Sequence, residues 1–389
     1  ELSELIQEDL SGISAIKIYG QELAEQKAFK ILNNRYRDAA INLARTASTL
    51  FPLLQGLSSI SLLLLIAIGS GQLSGGSLTV GGLVALILYV ERLVFPTALL
   101  GFTLNTFQLG QVSLERVEEI LNNEPRIKDK QNTIKITKPI TGKLEAKNLS
   151  LRYEGYSRKI LNKISFTIKP SEIVALVGPV GCGKTTLAKA LGRMVEVEEG
   201  TLFLDDYDVT DIKLTDLRSH IALVPQEGYL FTETLRDNIR YGNPKASIGE
   251  VKDSAYEARM SDDIKGFPDG FETLVGERGI TLSGGQRQRT ALSRALLVNS
   301  KIIVLDDALA SVDNKTASAI LQTIKKQFNK TVLMISHQLS AAAACDRILV
   351  MNDGKIVQEG THQNLIKRDG LYKSMWEREK AKEQIQSDN

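Results

Sequence analysis

At 389 residues the chain has room for about two domains, and its 43% hydrophobic and 24% charged content excludes a disordered polymer. Its 48 basic and 46 acidic side chains leave a formal charge of +2, which provides no electrostatic footprint for nucleic acid. Two cysteines, Cys182 and Cys345, exclude a disulfide framework and suit a reducing compartment.

The chain opens in what reads as helix interior at Glu1, with no initiator Met, signal peptide or cap before it, so it is expected to be a fragment. Leu2, Leu5, Ile6, Leu10, Ile13 and Ile16 keep helical spacing. Gly12 and Gly20 interrupt it, setting off a short helix at about 8–19. Basic residues Lys17, Lys27, Lys30, Arg35, Arg37 and Arg45 follow.

Residues 47–68 carry no charge and reach the roughly 20 residues that a membrane-spanning helix needs. A polar turn at 69–77 leads to a second apolar run, 78–109, which contains Glu91, Arg92 and Pro96. Buried core helices of a soluble protein are the alternative, but such length without charge argues for the membrane. The turn lacks Lys and Arg whereas both outer flanks are rich in them, so both flanks are expected to be cytosolic. Glu91 and Arg92 have two readings, a place on an inner cavity wall or a pairing with another helix near the interface.

Residues 121–143 are polar, with two prolines, and read as a linker. From Leu144 short apolar strands alternate with helices, which predicts an α/β domain with strands at 173–177, 221–224, 302–305 and 332–335. That domain is expected over 144–376, with a charged helical tail after it.

The segment Gly178-Pro179-Val180-Gly181-Cys182-Gly183-Lys184-Thr185 fits G-x-x-x-x-G-K-[ST], led in by an apolar strand and followed by a helix that Thr186 helps to open. Its glycines let backbone amides close around phosphates, Lys184 reaches the β- and γ-phosphates, and the Thr185 hydroxyl ligates Mg²⁺. The strand ending in Asp306 supplies a carboxylate to hold the metal from the opposite side. Between these, Leu282-Ser283-Gly284-Gly285-Gln286 places a hydroxyl and bare amides at a helix start, a second anion site.

With L-S-G-G-Q the sequence resembles the ATP-binding cassette (ABC) exporters, in their bacterial multidrug-type branch. The resemblance covers nearly the whole chain and implies an α-helical transmembrane segment of two spanning helices, at about 47–69 and 78–109. These match the last two spanning helices of a six-helix subunit, and the first four would be missing. An α/β P-loop nucleotide-binding domain with a helical subdomain follows. It implies ATP and Mg²⁺ as cofactors, membrane lipid around the helices, and a small molecule, lipid or peptide as cargo. It also implies a multi-pass place in the plasma membrane, the nucleotide-binding domain being cytoplasmic, and a coupling helix at 8–19. Residue by residue, Tyr153 corresponds to the aromatic that stacks on adenine and Gln226 to the glutamine that contacts metal. Asp313 falls in the loop crossing between the two ATP sites, and His337 is the switch histidine that contacts the γ-phosphate. Gly276-Glu277-Arg278-Gly279 is similar to a segment typical of exporters. Ser283, Gly284, Gly285 and Gln286 would close on nucleotide held by a partner subunit.

The sequence departs from the family at two places, Asp307 and Ser171. The catalytic carboxylate, commonly Glu, is Asp307, and losing one methylene withdraws it by about 1.5 Å. This favours the degenerate-site half of a heterodimer with a second half-transporter, over a homodimer that works with Asp. Ser171 stands where Gly is common, before Glu172. Cys182 lies inside the phosphate loop, either as a thiol activated by the helix N-terminus or as a small filler. Three rivals stand against the exporter. One is a soluble mechanical ATPase, opposed by the apolar runs. The second is an importer's ATPase, opposed by the fusion of the two parts. The third is a regulatory subunit that binds ATP without turnover, supported by Asp307.

Overall fold

The computed structural model describes residues 1–310, 312 and 314–387. The chain divides into two units, Glu1–Glu124 and Pro125–Asn389.

In the first unit the helices Leu2–Ser11 and Ile13–Tyr19 break at Gly12 and end at Gly20, which is left-handed at φ 60°. The short helix expected at 8–19 is therefore Ile13–Tyr19. Residues 8–11 belong to the preceding helix, because Gly12, with no Cβ, is the weak point of the run. Two long helices follow, Glu22–Ser74 and Val80–Leu121, both long and apolar enough to cross a membrane. Helix continues to Ser74, so most of the turn expected at 69–77 is helical. The chain reverses only at Gly75 and Gly76, and the Thr79 hydroxyl accepts from the Gly82 amide to cap the next helix. Within these helices the hydroxyls of Ser59, Ser61, Thr97, Thr103 and Thr106 donate to the carbonyl four residues back at 2.7–3.0 Å. Polar groups are thereby satisfied inside their own helix, as an apolar surrounding demands. Glu91 and Arg92 are both exposed on the second long helix.

The second unit is built on a six-stranded sheet in the order Lys355–Gly360, Arg347–Asn352, Ile173–Val177, Thr331–Ile335, Ile302–Asp306, Ile221–Val224, parallel except for the first strand. Strand geometry turns successive side chains to opposite faces. Ile173, Ala175, Val177, Ile303 and Leu305 enter a core shared with the helix Gly284–Leu297 and its neighbours. Val174, Leu176, Ile302 and Val304 enter a second core, against the helix Lys184–Leu191 and a four-stranded antiparallel sheet. Both faces are covered, which is why these strands read as unbroken apolar runs. The antiparallel sheet, ordered Leu161–Ile168, Leu144–Leu151, Leu202–Leu204, Tyr207–Asp208, escaped the sequence reading. Its strands interleave polar residues on an exposed face, as in Leu-Glu-Ala-Lys-Asn-Leu-Ser-Leu.

Two stretches are more firmly held than their composition predicts. Residues 125–143, read as a linker, lie along this unit: the Asp205 carboxylate accepts from the amides of Thr141, Gly142 and Lys143, and Ile134 bridges to Ile212. The charged C-terminal helix Leu371–Ser387 is anchored by the fully buried Tyr372, with Met375 and Trp376 packed on the core.

Glu172, just ahead of the phosphate-loop strand, receives two hydrogen bonds from Arg347 at 2.8 and 2.9 Å and one from the Lys169 amide at 2.8 Å. Burial alone would raise its pKa, but Arg347 and that amide hold it below the ordinary glutamate value. The resulting stability is present above the unfolded-state pKa of about 4.3 and is lost as pH falls through the lower folded value. Glu172→Gln is expected to cost about 1–2 kcal/mol at pH 7. It should also flatten the acid limb of stability against pH in thermal unfolding; an unchanged acid limb would remove Glu172 from that role.

Candidate nucleotide-binding site

Four parallel strands deliver the predicted residues to one edge of the sheet. Leu176 pairs with Ile335, Asp306 with Ile335, and Val224 with Leu305, so the segments after these strands emerge side by side. They carry the phosphate loop, the Asp306–Asp307 pair, the turn of His337, and Gln226. Crevices beyond the carboxyl ends of parallel strands are where such folds bind ligands.

The phosphate loop is shaped by glycine. Gly178, Gly181 and Gly183 have φ of 156°, 79° and 107°. A Cβ on Gly178 would lie 2.1 Å from the carbonyl oxygen of Met351, a backbone atom that cannot step aside. The helix Lys184–Leu191 starts without a side-chain cap, and its first backbone bond runs from the Leu187 amide to the Gly183 carbonyl. The amides of Lys184, Thr185 and Thr186 thus form an orphaned first turn, with the positive end of the helix dipole behind them. Thr186 itself is buried.

Lys184 is buried, and its ammonium donates to the carbonyls of Gly178 at 2.8 Å and Pro179 at 2.9 Å. An ammonium has three donors; two hold the loop in shape, and the third faces Cys182 Sγ at 3.8 Å, a weak acceptor that a phosphate oxygen can replace. Cys182 Sγ, 3.8 Å from that amine, is buried against it, which favours the filler reading over a thiol activated by the helix N-terminus.

The Thr185 hydroxyl lies 3.2 Å from Asp306 Oδ1. Burial raises the Asp306 pKa, the Thr185 hydrogen bond opposes that, and the neighbouring Asp307 carboxylate adds to it. A buried carboxylate held in this way is short of positive charge. Among the described residues no cluster of three or more His, Cys, Asp or Glu could cage a metal. One hydroxyl and one carboxylate fit Mg²⁺, which keeps waters and takes substrate phosphates as its other ligands. Gln226, also expected at the metal, is exposed and lines a cavity of about 600 Å³ with Glu227, Gly228, Tyr229, Gly284, Arg287 and Gln288.

Asp307 sits in the left-handed region at φ 52°, a conformation that Asp tolerates better than most residues. Its carboxylate accepts from the backbone amide of His337 at 3.4 Å, and its own amide donates to the Ile335 carbonyl at 3.0 Å. The imidazole of His337 is exposed. Tyr153 is half-buried against the core of the antiparallel sheet. Asp313 lies outside the described residues.

Ser283 caps the helix Gly284–Leu297 through a capping box: its hydroxyl accepts from the Gln286 amide at 3.3 Å, and Gln286 Oε1 accepts from the Ser283 amide at 2.9 Å. Gln286 Nε2 donates to Asp263, which also pairs with Arg289 at 2.6 Å. The side chain of Gln286 is thus spent on holding Ser283, whereas the Ser283 proton stays available on an exposed hydroxyl. The spacing of Ser283 and Gln286 signals this box in the sequence; Asp263 carries no such signal.

The family model for ABC transporters matches residues 161–310, and that for the ABC transporter transmembrane region matches residues 1–97. YfiB of Bacillus subtilis, an ABC transporter ATP-binding protein, is 32% identical over the whole chain and 67% of its own length. The chain belongs to the ABC transporter family. An ATP-dependent lipid A-core flippase of Thiobacillus denitrificans is 36% identical over 96% of the chain and 64% of the flippase. A bacterial Atm1-family ABC exporter, solved with ATP bound, superposes with a TM-score of 0.88 at 32% identity, covering 96% of this chain and 66% of that one. The chain thus spans about two thirds of the length of the ABC proteins it matches.

Asp306→Asn removes a buried charge for which desolvation outweighs the attraction of Lys189 and Lys184. The nucleotide-free protein is expected to melt at the same or a higher temperature, while Mg²⁺ ceases to strengthen ATP binding in titration calorimetry. A variant that melts lower yet retains the Mg²⁺ effect would refute this account of Asp306.

Proposed function

We propose that the chain is the ATP-binding and ATP-hydrolysing subunit of an ABC-type exporter. It pairs with a second half-transporter and moves a small molecule, lipid or peptide-like substrate across the plasma membrane. The observation that carries this reading is the contact of Thr185 with the buried Asp306 beneath an uncapped helix start. Residues 1–120 are the membrane part, with Ile13–Tyr19 as the coupling helix and the two long helices as spans. Residues 144–376 bind nucleotide on the cytoplasmic side.

Phosphates are gathered by the orphan amides of 184–186 and the remaining donor of Lys184, and the adenine lies against Tyr153. Thr185 and Asp306 would hold Mg²⁺, which would neutralise phosphate charge. Asp307 takes the proton of the attacking water, and His337 contacts the terminal phosphate. Ser283, with Gly284 and Gly285, closes on the nucleotide of the partner subunit, and Gln226 relays that closure through the cavity it lines. ATP biases the pair toward the closed state because it meets both halves only there.

Asp307 supports the heterodimer. Its carboxylate is about 1.5 Å shorter in reach than that of Glu, and one oxygen is engaged by the His337 amide. A displacement of about 1 Å can cost on the order of 100-fold in rate. Turnover on this chain's own loop is then slow, and its Ser283 completes the partner's faster site. The same observation favours a second reading, a regulatory subunit that binds ATP without turning it over.

Single-turnover ATPase of the full-length protein, with and without a candidate partner, tests these readings. Lys184→Ala is expected to weaken ATP binding at least about tenfold, since a charge-assisted contact is lost. Asp307→Glu should raise hydrolysis by up to about 100-fold. Retained affinity in the Lys184 variant would sink the nucleotide site. Fast hydrolysis by the chain alone, unchanged by Asp307→Asn, would remove Asp307 from the mechanism.

A further inference from the structure

The turn that carries His337 is held from behind by the last helix of the chain. Within the turn, Ser336 Oγ donates to the Gln338 carbonyl at 3.2 Å and accepts from the Gln338 amide at 2.9 Å. On one side the turn is tied to the Asp307 segment: the His337 amide donates to the Asp307 carboxylate, and Gln338 Nε2 donates to the Ala310 carbonyl at 3.2 Å. Next comes a four-residue helix, Leu339–Ala342, whose N-cap residue Gln338 offers no side-chain cap. The cap arrives from 40 residues away. The Glu379 carboxylate accepts from the Leu339 amide with both oxygens at 3.0 Å and from the Ser340 amide at 3.2 Å.

Glu379 is well placed to act as a fixed point. It follows Tyr372 and Trp376 at helical spacing on Leu371–Ser387. Tyr372 is fully buried, its hydroxyl is 2.7 Å from His362 Nδ1, and its amide donates to Gln358 at 3.0 Å. The ring of Trp376 packs against that of His362, tilted by 60° with centroids 4.6 Å apart. A carboxylate on orphan first-turn amides is a strong, directional contact. Here it joins an anchored helix to the residue immediately after the turn of the switch histidine.

We propose that Glu379 is a positioning residue. It locks the His337 turn and, through the His337 amide, the orientation of the Asp307 carboxylate, so that the seating of the C-terminal helix sets the rate of hydrolysis. This rests on the function proposed above, and two readouts keep the two apart. In the full-length chain, Glu379→Ala is expected to speed amide exchange at 337–340 at least about tenfold, leaving the phosphate loop at 178–186 unchanged. In single-turnover hydrolysis, with Asp307 and in the Asp307→Glu background, the rate constant should fall several-fold while ATP affinity stays within about twofold. Glu379→Gln keeps a carbonyl acceptor and should recover much of both effects. Glu377→Ala, an exposed carboxylate on the same helix, should alter neither.

Unchanged exchange at 337–340 in Glu379→Ala would overturn the lock. So would faster exchange with no change in rate, or an equal loss in Glu377→Ala. Absence of turnover in both unsubstituted backgrounds would count against the proposed ATPase instead, with the exchange rates still deciding whether Glu379 holds the turn.

Discussion

Thr185 and Asp306 stand 121 residues apart in sequence and 3.2 Å apart in space, and the nucleotide-binding unit is organised around that meeting. It can occur only if two parallel strands end level with each other. Their ends are level because alternate residues of each are buried in opposite cores. A slip of one residue would exchange the two faces and carry every apolar side chain to the wrong core. Packing therefore fixes the chemistry: the same alternation that stabilises the sheet brings hydroxyl and carboxylate into contact.

The site is also electrostatically unfinished. Asp306 is buried beside Asp307, and Lys184, the nearest cation of the loop, has two of its donors turned to carbonyls. Lys189 and Lys184 offset only part of that negative charge; backbone amides at a helix start add to the offset, and a cation arriving with the substrate would complete it. The two glycine-rich helix starts differ in their capping. The start of Lys184–Leu191 has no side-chain cap, whereas the start of Gly284–Leu297 is capped by Ser283 and braced through Gln286 and Asp263. One can wrap a phosphate with its own backbone; the other presents a hydroxyl held in place.

Much of this was readable in the residues. Four of the five parallel strands appeared because burial on both faces makes them continuous apolar runs, and the phosphate loop and Asp306 followed from their positions after such strands. The long helices were visible as uncharged stretches, although their ends were not, because glycine and serine in 69–74 were read as a turn where the helix continues. The antiparallel sheet was hidden by polar residues on its exposed face. The firm hold on residues 125–143 and on the C-terminal helix was hidden for another reason: it depends on Asp205, Tyr372 and Glu379 finding partners far away in sequence, which no local pattern announces. Gln286 shows the same limit from the other side. Its place in the motif was plain, but its commitment to bracing Ser283 appears only in three dimensions.

The floor under the phosphate loop has a further consequence. Gly178 rests against Met351, and the Gly354 amide donates to the Cys182 carbonyl at 3.1 Å, so the hairpin of Arg347–Asn352 and Lys355–Gly360 supports the loop from below. A loop held in one shape loses less conformational entropy on binding a ligand than a mobile one does. The loop is thus held in shape by the fold itself, before any ligand enters.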